Sequence, residues 1–199
     1  MSGSGNRSGK QSQVRIIGGQ WRGRKLTFTP ADGLRPTGDR IRETLFNWLA
    51  ASIAGARCAD LFAGSGALGL EALSRGAGHC DFVDCTSAAL TQVRDHLRTL
   101  EALGKSSCHL VSALQFLQVA AAPYDIVFID PPFKLQLVEP VCAALSQRQL
   151  LREHALVYVE MGATEPPPRL PPGWDLHREK HAGGVTYRLF SVGPSDNTG

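Results

Sequence analysis

The tetrapeptide Asp130-Pro131-Pro132-Phe133 directly follows the apolar run Ile126-Val127-Phe128-Ile129. Two successive prolines fix φ and remove two N–H donors, so this stretch presents acceptors: the Asp130 carboxylate and the Pro131 carbonyl. Paired acceptors suit a nitrogen that carries two hydrogens, such as the exocyclic amine of a nucleic-acid base. That amine is a poor nucleophile because its lone pair is delocalised into the ring. Holding both hydrogens reorients the nitrogen and stabilises the positive charge that develops as it attacks an electrophilic carbon. Phe133 adds a flat face for stacking a base, worth about 1–3 kcal/mol. Catalysis of this kind is mainly positioning, and needs neither a metal nor a covalent nucleophile. The competing reading is a Pro-Pro that merely stops a strand, with Phe133 in the core.

A second constellation lies upstream, in Asp60-Leu61-Phe62-Ala63-Gly64-Ser65-Gly66-Ala67-Leu68-Gly69. Glycines at a strand-to-helix turn let the backbone bend tightly and let a ligand approach. The spacing Gly64-x-Gly66-x-x-Gly69 matches the dinucleotide fingerprint, so alone it does not separate NAD from S-adenosylmethionine. Asp84, 18 positions after Gly66, can accept the hydrogen bonds of a ribose diol. Asp60 discriminates, because a carboxylate before the turn suits the cationic amino-acid end of S-adenosylmethionine and repels a pyrophosphate. Phe62, Ala63, Cys85 and Ala113, beside the loop and the following strand ends, complete the candidate cofactor set together with Asp130.

These groups require particular elements beneath them. From Arg57 the pattern alternates: strands over Cys58–Phe62, Cys80–Asp84, His109–Val111, Tyr124–Ile129 and Ala155–Glu160 interleave with helices over Ala67–Arg75, Ser87–Leu103, Ala113–Ala121 and Leu135–Leu145. Such alternation predicts an α/β fold, a doubly wound and mostly parallel sheet with helices on both faces. The proline-rich stretch Pro166–Pro172 has no regular structure of its own. Trp174–Lys180 and Val185–Val192 around Ala182-Gly183-Gly184 then predict an antiparallel hairpin that closes the sheet. Upstream, Val14–Thr29 reads as a hairpin displaying arginines. Ile41, Leu45, Trp48 and Leu49 follow helical spacing, with Thr37 or Asp39 as the N-cap.

This gives four segments: a disordered leader over 1–13, a basic extension over 14–50, the catalytic domain over 51–192, and a polar tail over 193–199. The leader is Gly/Ser-rich without an apolar core, unlike a secretory signal. No apolar run is long enough to span a membrane. Five cysteines without a CxxC pair predict reduced thiols in a cytoplasmic protein, acting as small buried hydrophobes, with no zinc site. Up to Phe46 the net charge is +6, and the remainder carries −3. A basic arm on a slightly acidic body suits a polyanion contact, with solvated surface charge as the competing account.

The loop Asp60–Gly69 together with Asp130–Phe133 resembles the class I amino-methyltransferases that act on RNA and DNA. Arg15–Leu26, Leu34-Arg35-Pro36-Thr37, Arg40–Leu49, Leu61–Ala77, His177-Arg178-Glu179-Lys180 and Tyr187-Arg188-Leu189 resemble the bacterial RsmD family, over about Val14 to Phe190. That resemblance implies a Rossmann-like methyltransferase fold, S-adenosyl-L-methionine as methyl donor, and methylation of guanine N2 in 16S rRNA, at guanine 966. The implied partner is the small ribosomal subunit or its assembly intermediate, with the protein expected to be a monomer. It carries cofactor contacts onto Asp60, Gly64, Gly66 and Asp84, and target-base contacts onto Asp130, Pro131 and Phe133. Ser112-Ala113 stands where many relatives place Asn or Asp against the adenine. Arg15, Arg22, Arg24, Lys25, Arg35, Thr37 and Arg40 become candidate RNA contacts, with phosphates giving position rather than sequence. The alternatives are methylation of another base amine, such as adenine N6, and a non-catalytic RNA-binding assembly factor.

Overall fold

Seven strands form one sheet in the order β5-β4-β3-β6-β7-β9-β8 in a computed structural model that describes residues 12–28, 38–132 and 135–193. The strands are β3 (Arg57–Asp60), β4 (His79–Asp84), β5 (Ser106–Leu110), β6 (Tyr124–Ile129), β7 (Leu151–Gly162), β8 (Trp174–Ala182) and β9 (Val185–Val192). β3 through β7 pair in parallel, and the β8–β9 hairpin joins antiparallel on β7. β3 lies between β4 and β6, so the strand order reverses there. A crevice therefore opens at the carboxyl ends of β3 and β6, where ligands bind in doubly wound sheets.

The helices are α2 (Ala67–Ser74), α3 (Ser87–Thr99), α4 (Ala113–Val119) and α5 (Val138–Gln147), preceded by α1 (Asp39–Trp48). Two apolar cores cover the two faces of the sheet. Phe46, Leu70, Leu97, Phe128, Tyr158 and Leu189 belong to one, and Phe116, Leu117, Val127, Val141, Val157 and Phe190 to the other. Alternation along β6 and β7 sends neighbouring residues into opposite cores, as a strand buried on both faces requires. The exposed edge strand β8 carries His177, Arg178, Glu179 and Lys180, charges that discourage edge-to-edge pairing.

Strands β1 (Ser12–Arg15) and β2 (Lys25–Phe28) form the N-terminal hairpin as a separate antiparallel pair. Between them a 3-10 turn over Gly19–Trp21 lies on α2. Gly19 has φ +75°, and a Cβ there would lie 1.9 Å from the Ser74 carbonyl oxygen, so only glycine fits. At the open end, Val14 and Phe28 pack with Ala67, the residue that begins α2 just after the glycine loop.

Several expectations are corrected. The expected leader over 1–13 overlaps β1, which starts at Ser12, and Gly193 of the expected tail donates to the Gly173 carbonyl at 2.8 Å. Asp39 is not an N-cap but the first residue of α1, whose N-cap is Gly38 without a side-chain bond. α5 begins at Val138 rather than Leu135, because Leu135 to Leu137 form the approach to the site instead of a helical turn. α3 ends at Thr99, short of Leu103, and β7 is longer than Ala155–Glu160 at both ends. Cys58, Cys80 and Cys142 are buried, whereas Cys85 is exposed and Cys108 is half-buried, so two of the five thiols are not core hydrophobes. No helix among the described residues is long and apolar enough to cross a membrane.

Candidate active site

The glycine loop divides into glycines that serve packing and one that faces open space. At Gly69 a Cβ would lie 2.3 Å from the Phe82 ring, so this glycine brings α2 against β4. At Gly66, φ is +77° and a Cβ would press on Val93 and Leu70 at 3.0 and 3.1 Å. At Gly64, φ is +50° and a Cβ would meet only the Phe62 carbonyl oxygen, at 3.9 Å. Gly64 is thus the loop residue whose missing side chain leaves room for a ligand, and it lines a cavity of about 250 Å³.

Asp84 closes the opposite wall at the end of β4. Its Oδ2 accepts the Gly64 N–H at 2.9 Å and its Oδ1 accepts the Thr86 N–H at 2.7 Å. Each carboxylate oxygen has a second lone pair, so these bonds orient Asp84 and leave acceptor capacity facing the cavity. Phe62, Asp84, Cys85, Ala113 and Asp130 line this cavity alongside Gly64. Asp60, Ala63 and Gly66, also expected to contact a cofactor, are buried and do not line this cavity. Ala63 donates to the Val83 carbonyl at 2.9 Å, and the Gly66 N–H reaches the Ala63 carbonyl at 2.6 Å.

Asp60 is enclosed, with its Oδ2 accepting the Gly69 N–H at 3.0 Å. Burial pushes its carboxyl up to about 7 and the Asp84 charge adds to this, against the pull of the Gly69 and Phe62 amides. It holds the first turn of α2 through the Gly69 bond and does not line the cavity wall.

Periodicity alone did not point to Leu61, Thr86, Val111, Ser112, Leu114, Leu135, Leu137 and Val141, which complete the described lining. Exposed apolar residues next to strand and helix ends were the available signal: Val111 and Leu135 are both solvent-exposed. The Ser112 side chain is committed to a capping box. Its Oγ accepts the Gln115 N–H at 3.2 Å, and the Ser112 N–H reaches Gln115 Oε1 at 3.2 Å.

On the other side of the tetrapeptide lies a larger cleft of about 730 Å³. Asp130 and Pro132 face the smaller cavity, while Pro131 and Pro132 face the cleft, so Asp130 to Pro132 form a partition between the two. Phe133 lies outside the described residues. Among the described residues, no group of three or more His, Cys, Asp or Glu side chains could hold a metal ion.

The basic residues of the hairpin are displayed as expected: Arg15, Arg22, Arg24 and Lys25 are exposed, as is Arg40 on α1. Arg15 and Lys25 are cross-strand partners, and the Arg15 guanidinium pairs with Asp39 Oδ2 at 3.2 Å. Arg35 and Thr37 lie outside the described residues. Arg42 differs from the other basic residues of this segment in being buried, at 1% exposure. It donates to the Arg15 carbonyl at 2.8 Å and to Asp39 Oδ1 at 2.6 Å, and lies 3.5 Å from Glu71 Oε2.

Glu71, fully buried on α2, ties the arm to the body. It accepts the Ile17 and Gly18 N–H groups at 2.8 Å each and Arg75 Nε at 2.7 Å. Nothing in its sequence position signalled this role.

Comparison with known proteins agrees with this architecture. The family model described as "Conserved hypothetical protein 95" matches residues 14–191. The chain is 50% identical to the Ribosomal RNA small subunit methyltransferase D of Escherichia coli, over 93% of this chain and 92% of that protein. A solved structure from Escherichia coli superposes with a TM-score of 0.83 at 46% identity, covering 92% of this chain and all but 1% of the other. A more distant structure, solved complexed with SAH (S-adenosylhomocysteine), gives a TM-score of 0.68 at 15% identity. It covers 95% of this chain and 58% of the other, and shares the fold alone. The fold, the strand-end cavity and these matches agree: the chain belongs to the ribosomal RNA small subunit methyltransferase D (RsmD) family.

Proposed function

We propose that this chain methylates the exocyclic N2 of a guanine in 16S rRNA, guanine 966 by the family resemblance, using S-adenosylmethionine on the small subunit or its assembly intermediate. The observation that carries this reading is the partition. One short segment, Asp130 to Pro132, faces both a cavity built from a glycine loop and an acid-tipped strand and a cleft large enough for a base. The curated Escherichia coli relative bears the name of an rRNA small-subunit methyltransferase, which supports RNA as the substrate class.

The residues present fit the cofactor. Gly64 leaves an opening that a Cβ would narrow, and Asp84 offers acceptor capacity for a ribose diol at the end of β4. The apolar side chains of Phe62, Val111, Leu114 and Leu135 suit an adenine ring. Ala113 begins α4, and the first amides of a helix have no intrahelical acceptor, so they can donate to a ring nitrogen. When bound, S-adenosylmethionine supplies a sulfonium methyl group; the methyl carbon–sulfur bond breaks with its electron pair passing to sulfur, which leaves S-adenosylhomocysteine.

The protein's contribution is alignment. The Asp130 carboxylate and the Pro131 carbonyl accept the two hydrogens of the guanine amine. This turns the nitrogen lone pair toward the methyl carbon and stabilises the charge that gathers on nitrogen. The proton surplus on the methylated amine leaves through the Asp130 hydrogen bond to solvent. The target guanine must be out of its stack to reach this depth, and Phe133 is assigned the stacking role. The hairpin's Arg15, Arg22, Arg24 and Lys25, with Arg40 and the Arg35–Thr37 segment, hold phosphates.

The test is methyl transfer to small subunits from a strain lacking the endogenous activity, with the product nucleotide mapped by mass spectrometry. N2-methylguanine is expected with the parent protein. Asp130→Ala should abolish transfer while S-adenosylmethionine still binds in isothermal titration. A different methylated base, or full activity in Asp130→Ala, would overturn the reading.

A further inference from the structure

The tetrapeptide explains how an amine is held, but any base amine would satisfy it. Three carboxylates that the mechanism above does not use line the larger cleft, Glu139, Glu160 and Glu165, and of these Glu160 is the buried one. Ile129 and Val159 are register partners on adjacent parallel strands, so Asp130 and Glu160 are the next residue of each. Their side chains leave the sheet on the same face, on strands about 4.8 Å apart.

Glu160 is 5% exposed. Tyr158, two positions earlier on the same face, donates its hydroxyl to Glu160 Oε2 at 2.7 Å. Burial, with the Glu160 and Asp130 charges, pushes the Tyr158 hydroxyl up, so it remains a donor to Glu160. This bond aims the Glu160 carboxylate from within its own strand.

We propose that Glu160 is the residue that selects guanine, accepting its N1–H while Asp130 and the Pro131 carbonyl hold the N2 amine. This rests on the guanine-N2 reading above. In guanine the ring nitrogen next to the amine carries a hydrogen, so two neighbouring groups are donors. In adenine and cytosine the corresponding ring nitrogen presents a lone pair, which a carboxylate repels. One acid therefore both rewards the correct base and rejects the others. The adjacent strand ends thus divide the work, with β6 holding the reacting nitrogen and β7 reading the atom beside it.

The experiment compares guanine with 2-aminopurine, which keeps the amine but has a lone pair where guanine has N1–H. Small subunits are reconstituted with 16S rRNA carrying either base at the nucleotide mapped as methylated. Parent protein should favour guanine in kcat/KM by roughly tenfold to a hundredfold, the discrimination of one good base-edge contact. Glu160→Gln, whose amide can donate to the lone pair, should bring the two substrates within about threefold, with S-adenosylmethionine affinity unchanged in isothermal titration.

A merely structural role for Glu160 would lower both substrates alike and leave their ratio intact, and that result would overturn the proposal. Equal use of the two bases by the parent protein would overturn it as well. Should Glu160→Gln not fold, Glu160→Asp withdraws the carboxylate by one methylene, and an unaltered base ratio there is equally fatal. Absence of N2-methylguanine from the parent reaction would instead sink the underlying function, so the two failures are distinguishable.

Discussion

Glu71→Ala should loosen the N-terminal arm and destabilise the whole protein. The mutation removes the acceptor of the Ile17 and Gly18 amides and of Arg75 Nε, and the carboxylate beside Arg42. The contributions are unequal. Arg75 is 19% exposed and can turn to water, so its loss is small. The two half-buried amides lose their acceptor at about 1 kcal/mol or more each. Arg42 cannot reach water, and breaking a buried ion pair from one side costs about 3–5 kcal/mol. It retains Asp39 at 2.6 Å and the Arg15 carbonyl at 2.8 Å, which holds its share to the low end. A total of about 5 kcal/mol follows. Urea unfolding with a slope of about 2 kcal/mol/M would show this as a midpoint lowered by roughly 2.5 M. Hydrogen exchange should report the same change locally. The Ile16 and Gly23 amides, bonded to Arg24 and Ile16 carbonyls within the hairpin, should lose more protection than amides of β6. Glu71→Gln keeps one carbonyl acceptor and should fall between. A midpoint lowered by less than about 0.5 M, with hairpin exchange unchanged, would refute the view that this carboxylate anchors the arm.

Two further outcomes follow from charge. Asp60 is pushed up to about 7 in the fold from an ordinary value of 3.8, so between those pH values the native state keeps a proton that the unfolded chain releases. Native stability therefore falls as pH rises across that window and levels off above it. Asp60→Asn cannot titrate, so its stability relative to the parent should climb over the same window; parallel urea midpoints at pH 4.5, 6 and 7.5 would rule this out. For the arm, neutralising Arg22, Arg24 and Lys25 together should flatten the salt dependence of RNA binding. The slope of log affinity against log salt should fall by about 2 to 3, and an unchanged slope would remove these side chains from the interface.

Much of the architecture was legible because its signals are local. Tyr124–Ile129 is a β-branched and aromatic run broken only by Asp125, and it forms β6 with those ends. The Ala182-Gly183-Gly184 turn lies where the hairpin reverses, since Gly183 and Gly184 both take positive φ. Boundaries were less legible where tertiary contacts compete with propensity. The residues Leu135 to Leu137 carry a helical pattern, yet they approach and line the cavities instead of extending α5. Within the glycine motif, spacing treats Gly64 and Gly66 alike. Their surroundings separate them, because Val93 and Leu70 approach from α3 and α2 at Gly66 and nothing comparable approaches Gly64.

The same division holds for charge and for chemistry. Residue type and order alone determined that a glycine loop precedes Asp84, that two prolines strip donors after Asp130, and that the positive charge gathers toward the N-terminus. These are properties of covalent structure, and no folding is needed to count them. Only the tertiary structure decided which charges face solvent. Arg42 and Arg40 are two residues apart on α1, and helical geometry turns one into the core toward Glu71 and the other outward. Likewise Asp130 and Glu160 are thirty positions apart in the chain, and only the pairing of β6 with β7, which sets Ile129 opposite Val159, brings them to neighbouring positions. Sheet register is a long-range backbone property with no local signal in sequence, and it is what brings a second acid to the strand beside the one that leads into Asp130.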